Sequence, residues 1–119
     1  MKLLPLAIVA ALASPAAMAA QDYDGTGLAL LRDCEEGLRA SGDFARARHC
    51  SGVVRGAART LALLQQDGSV TAERACVPDG TPDARLVTVV VQYLSEHPDE
   101  LHLPDVQLVL KAVEAALPC

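Results

Sequence analysis

The sequence predicts an all-α fold, a small four-helix domain of two antiparallel helical hairpins, each tied by a disulfide, and three observations carry that prediction. First, Ala47, Cys50, Val54, Ala57, Leu61 and Leu64 step by 3, 4, 3, 4 and 3 residues, which is the spacing of one helix face. Second, Pro82, Pro98, Pro104 and Pro118 cut the C-terminal part into two stretches of helical length, and a connection of about five residues returns the second antiparallel to the first. Third, the four cysteines fall where two such hairpins would bring them together. Cys76 just before the third helix and Cys119 just after the fourth meet at one end of their hairpin. Cys34 lies seven residues before Ser41 and Cys50 nine after it, so in an antiparallel pair the two share a height. The expected pairing is Cys34–Cys50 and Cys76–Cys119.

Met1-Lys2, the apolar run Leu3 to Ala13 and the small residues ending in Ala17-Met18-Ala19 have the three parts of a secretory signal peptide, with cleavage expected after Ala19. The apolar run is too short to span a bilayer, and Ala20 in place of a cysteine gives no lipid anchor. Residues 20–119 then form one exported domain with a modest core. Thr26 caps the first helix, which runs to about Ala40 with Leu28, Leu31, Cys34 or Glu35, and Leu38 at helical spacing. Ser41-Gly42-Asp43 is a turn, and Asp43 caps a second helix reaching about Gln66. Asp67-Gly68-Ser69 ends it, and Val70 to Asp83 is a long connection. The β-branched run Leu86 to Val91 would suit a buried strand. Length favours a helix, because about sixteen residues separate its cap from Pro98 and strands usually run four to eight. Pro104 opens the fourth helix, with Val106, Val109, Leu110, Val113, Ala116 and Leu117 on one stripe.

Without Lys2 the chain carries 9 basic and 15 acidic side chains, a net charge of about −6, which argues against nucleic acid and anionic membrane surfaces as partners. An even number of cysteines in an exported chain favours disulfides over metal ligation or catalysis, and loop-closure entropy assigns each bond roughly 3 to 4 kcal/mol. The supplement matters, since only Tyr23, Tyr93 and Phe44 are aromatic. A Cys–His nucleophile from His49 and Cys50, or from His97 and Cys76, requires a free thiol that the disulfides remove. His97, His102, Asp99 and Asp105 surround one loop but lack the helical spacing of a metal site. Asp33, Glu35 and Glu36 do not share one helix face as paired catalytic carboxylates would. No catalytic residue, metal or cofactor is expected. Gly52 and Gly56 form a Gly-x3-Gly that permits close helix packing, either within the chain or between two copies.

Gly27-Leu28 with Leu30-Leu31 and Cys34, Cys50-Ser51-Gly52-Val53-Val54-Arg55-Gly56, Cys76-Val77-Pro78, Val90-Val91 before Tyr93-Leu94, His97-Pro98, and Leu117-Pro118-Cys119 together resemble the Rap/Tai immunity family of type VI secretion. The resemblance spans nearly all of residues 20–119. Val53 stands where an aromatic is common, Ala57-Ala58 follow Gly56 in place of a nearby aspartate, and Leu117 replaces a frequent phenylalanine. Characterised relatives are small helical periplasmic proteins, often dimeric, that neutralise peptidoglycan-cleaving amidase toxins by covering the catalytic cleft. The resemblance implies a non-enzymatic periplasmic inhibitor with a toxin as partner and a homodimer as a further possibility. The alternative from another class is a small envelope-stress chaperone, which would bind many clients after acid loosens it.

A cleft inhibitor needs a narrow protrusion, and the helix faces are committed to the core, so the connections are the candidates. Pro98 to Asp105 offers Asp99 and Glu100 to steer a basic cleft and Leu101, His102 and Leu103 between two prolines. Asp67 to Glu73, with Asp67 and Ser69, is the second candidate. The opposing expectation for Leu101 and Leu103 is that they simply close the bottom of the core.

Overall fold

The computed structural model describes residues 23–70 and 75–119; the signal peptide expected at 1–19 lies outside them. Four α-helices follow in order, α1 (Gly27–Leu38), α2 (Phe44–Gln66), α3 (Asp83–Glu96) and α4 (Asp105–Ala116), with a 3-10 turn at Pro98–Glu100. The β-branched run of Leu86 to Val91 is helical, as its length requires. Thr26 accepts from Ala29 N–H, and Asp43 from Ala45 and Arg46 N–H, so both expected caps are formed. Pro82 and Pro104 stand one position earlier than a first-turn proline. Their ψ values of 142° and 137° are extended, and each helix begins at the aspartate that follows.

Both disulfides pair as expected, with Cα–Cα distances of 5.0 Å for Cys34–Cys50 and 4.8 Å for Cys76–Cys119. Asp33 meets His49, Cys34 meets Cys50 and Gly37 backs onto Ala47, so α1 and α2 run antiparallel. In the other half, α3 packs on α4, with the short connection at one end. At the other end Cys76 is bonded to Cys119 and donates its N–H to the Leu117 carbonyl at 2.8 Å.

The core is one cluster drawn from all four helices, with Leu30, Val54, Val90, Leu94, Leu108 and Val113 at its centre. Its faces are turned slightly from those the spacing suggests. On α1 the buried residues are Gly27, Ala29, Leu30, Asp33 and Cys34, while Leu28 and Leu38 are exposed. The disulfide turns Cys34 inward, Leu30 lies one turn before it, and Asp33 enters only because His49 satisfies its carboxylate. On α4 Leu108 and Ala112 join Val109 and Val113 inside, leaving Val106 at the surface. Gly27 makes room for this packing, because a Cβ there would collide with the Leu108 side chain and lie 3.3 Å from the Leu101 carbonyl. The second half of α2 outruns the core, so Leu61 is half-buried and Leu63 and Leu64 are exposed.

Candidate functional site

The Pro98–Asp105 connection is fastened on every side the chain offers. Pro98 stops α3. The next residues tighten into turns through Glu100 N–H to the His97 carbonyl at 3.0 Å and Leu103 N–H to the Glu100 carbonyl at 2.9 Å. The start of α1 has N–H groups without helical partners. Gly27 donates one to the Leu103 carbonyl at 2.9 Å and Leu28 another to the Leu101 carbonyl at 3.0 Å. Thr26 pairs with Pro104 in an isolated antiparallel bridge, and Asp105 N–H reaches the Gly25 carbonyl at 2.9 Å. His97 donates its Nδ1–H to the Tyr93 carbonyl at 2.7 Å and stacks on the Tyr93 ring at 3.9 Å.

Within this frame the five candidate side chains divide. Leu101 and Leu103 are half-buried against the core. Glu100 accepts from Lys111 Nζ at 2.6 Å and from the Tyr93 hydroxyl at 2.8 Å, so it is not the free steering charge that its position suggested. The Lys111 ammonium, and then the Tyr93 hydroxyl, hold the Glu100 carboxyl below the usual glutamate range, and Glu100 in turn raises Lys111. Desolvation, followed by the Glu100 bond, pushes Tyr93 up. Asp99 and His102 remain exposed.

The second candidate connection is placed differently. Asp67 caps the end of α2 and accepts from Ser69 N–H at 2.8 Å; hydrogen bonding to the Ser69 side chain, and then to its N–H, holds the Asp67 carboxyl below the usual range, and both side chains are exposed. Gly68 between them has φ +76°, the left-handed conformation that ends a helix readily at glycine. Thr71 to Glu73 lie outside the described residues. Gln65 donates to the Ala75 carbonyl at 2.9 Å, beside the Cys76–Cys119 bond at the C-terminal end of α4. Pro98–Asp105 is at the N-terminal end of α4, and a twelve-residue helix is about 18 Å long. The two connections therefore do not form one surface.

Two surface features stand outside both connections. Phe44 is 73% exposed and Leu38 56% exposed, flanking the α1–α2 turn, with the Arg48 guanidinium 5.6 Å from the Phe44 ring centroid. The position of the chain's sole phenylalanine directly after a capping aspartate was the sequence signal for the first. The second is an open groove of about 420 Å³ between α2 and α4, floored by Gly52 and Gly56. One turn before Gly52 on α2, His49 donates Nδ1–H to Asp33 at 2.9 Å and lies edge-on to Tyr23, whose hydroxyl donates to Asp105 at the groove's rim. Desolvation and then the Asp105 bond push the Tyr23 hydroxyl far above the ordinary tyrosine range. Both donor–carboxylate pairs are satisfied, and among the described residues no group of three or more His, Cys, Asp and Glu is arranged to hold a metal. No helix among them is long and apolar enough to cross a membrane.

A family model described as Rap1a immunity proteins matches residues 26–119. The match begins at the cap of α1 and ends at Cys119, so it takes in all four helices and both disulfides. No curated protein and no solved structure matches the chain.

Proposed function

The chain belongs to the Rap1a immunity protein family, and from that premise we propose that it is a periplasmic inhibitor that binds a peptidoglycan amidase toxin delivered by type VI secretion. It acts by occupying the toxin, with no chemistry of its own. Residues 1–19 direct export and are removed, and both disulfides suit an oxidising compartment.

The observation that carries this reading is the fastening of Pro98–Asp105 by α1, Tyr93 and Lys111, with Asp99 and His102 facing out. A connection already held in one conformation loses little entropy when a partner docks on it. Asp99 supplies an exposed negative charge on the 3-10 turn, which favours encounter with a basic cleft mouth. Glu100 acts one step back, as the group that anchors the turn. Leu101 and Leu103 keep the loop seated on the core.

The test is to change the exposed pair alone, Asp99→Lys with His102→Ala, and to measure folding and binding to an amidase toxin identified among the genes flanking this one. The melting temperature should stay at the wild-type value, while affinity falls by at least about tenfold, roughly 1.4 kcal/mol. Unchanged affinity would make the loop structural and move the proposed contact to the connection carrying Asp67 and Ser69.

A further inference from the structure

Helix α2 carries four of the chain's ten Lys and Arg residues and none of its fifteen Asp and Glu, whereas α1, α3 and α4 all contain carboxylates. Arg48, Gly52, Arg55 and Arg59 step by 4, 3 and 4 residues, so three exposed arginines share one face of the helix with a glycine. Arg55 meets Asp83 at 3.4 Å, with both side chains more than a third exposed, and among the described residues Arg48 and Arg59 form no ion pair. Gly52 also borders the groove between α2 and α4, where Val53, Leu61, Leu64, Val106 and Leu110 make the lining mostly apolar. No heavy atom lies within 4 Å of the place a Cβ would take at Gly52 or Gly56, which leaves α2 open to close approach by another backbone. On the α4 side the rim carries Asp105, whose carboxylate accepts from the Tyr23 hydroxyl and from Val106 N–H. The groove thus has an arginine row along one edge and a carboxylate on the other.

We propose that this groove takes an amphipathic helix of a partner protein, apolar on the side facing the groove and acidic along the edge that lies over α2. An apolar groove receives such a helix through side chains one turn apart. From Gly52 to Leu64 the floor runs about 18 Å along α2, the length of about twelve helical residues. Gly52 and Gly56 admit the incoming backbone at one end, and the exposed Leu63 and Leu64 meet its apolar side at the other. Charge selects both the partner and its rotation. Glutamates or aspartates over Arg48, Arg55 and Arg59 complement the only helix without a carboxylate, whereas the same edge turned toward α4 would face Asp105. A basic helix would meet the arginine row and be repelled. This contact goes beyond the one assigned to Asp99 and His102, because it lies along α2 and selects its partner through arginines.

Fluorescence anisotropy with two labelled, stapled helical peptides tests this without any toxin, so its outcome leaves the inhibitor reading to its own experiment. Both peptides present one leucine face; one carries glutamates along a flank of that face, the other lysines at the same positions. Wild type should bind the glutamate peptide saturably and at least about tenfold tighter than the lysine peptide, with affinity falling as salt is raised. Gly56→Leu puts a side chain where the incoming backbone lies. It should lose the glutamate peptide while melting no lower than wild type, since the space is open and leucine is the better helix former. Arg48→Glu with Arg59→Glu, both at exposed positions, should reverse the preference in favour of the lysine peptide. Equal binding of the two peptides, binding of neither, or an unreversed preference in the folded double variant would overturn the proposal. So would either rival occupant: phosphatidylglycerol vesicles captured by wild type but not by Gly56→Leu, or a wild-type dimer that Gly56→Leu splits, with no peptide bound in either case.

Discussion

Glu100 accepts from Lys111 Nζ at 2.6 Å and from the Tyr93 hydroxyl at 2.8 Å, so one carboxylate joins the loop to both of the helices it connects. The folded-state pKa of Glu100 is depressed, first by Lys111. Its contribution to stability is therefore present above the ordinary glutamate range and is lost as pH falls through the lower folded value. Lys111 is raised by Glu100, so its contribution is present below the ordinary lysine range and is lost as pH rises through the higher folded value. Glu100→Gln should melt lower than wild type at neutral pH, and the two melting curves should converge in strong acid. A gap of equal size at every pH would show that the ion pair contributes nothing.

Asp33 is a buried carboxylate whose side-chain partner is His49, at 2.9 Å. His49→Ala should cost about 1–3 kcal/mol, toward the lower end because the His49 ring is 43% exposed and water can reach the vacated side. Adding Asp33→Asn should recover part of the loss, since a neutral amide is cheaper to leave buried than an unpaired charge. Denaturant titration of His49→Ala, Asp33→Asn and the double variant measures both steps. An additive double variant would mean that the two side chains do not act as a pair.

The disulfides differ in access rather than in role. Cys34 and Cys50 are fully buried, whereas Cys76 and Cys119 are exposed. Graded reductant followed by mass spectrometry should open Cys76–Cys119 first, because thiolate attack needs access to the sulfur. The chain-entropy estimate for its 43-residue separation is about 4 kcal/mol, against about 3 kcal/mol for the 16-residue separation of Cys34–Cys50. Reduction of Cys34–Cys50 first would mean that the α1–α2 pair opens more readily than its packing implies.

Helix identities and cysteine pairing were legible because both depend on local spacing and chain geometry. Ala47 to Leu64 repeat at helical steps, and prolines bound the C-terminal helices. Helix rotation was not, because it is decided by long-range partners. Leu28 and Leu38 fit the apolar stripe of α1, yet Cys34 and the Asp33–His49 pair turn the opposite neighbours inward. The connection between α3 and α4 was legible as a short stretch between two prolines but not in its division of labour. Lys111, eleven residues away, takes Glu100 out of the solvent-facing set, and nothing near Glu100 in the chain announces it. The Gly-x3-Gly was visible, but the open space over Gly52 and Gly56 among the described residues was not, because it depends on how α2 packs against the other helices.

The most direct test of the central claim is to express any peptidoglycan amidase toxin found in the genes flanking this one and to titrate it with the purified protein at neutral pH while release of cleaved muropeptide is followed. An immunity protein of this family should abolish the activity at a fixed stoichiometry, with the inhibited complex surviving gel filtration. Full toxin activity in the presence of excess folded protein would contradict the account. Suppression of client aggregation in acid by that same protein would then favour the chaperone alternative.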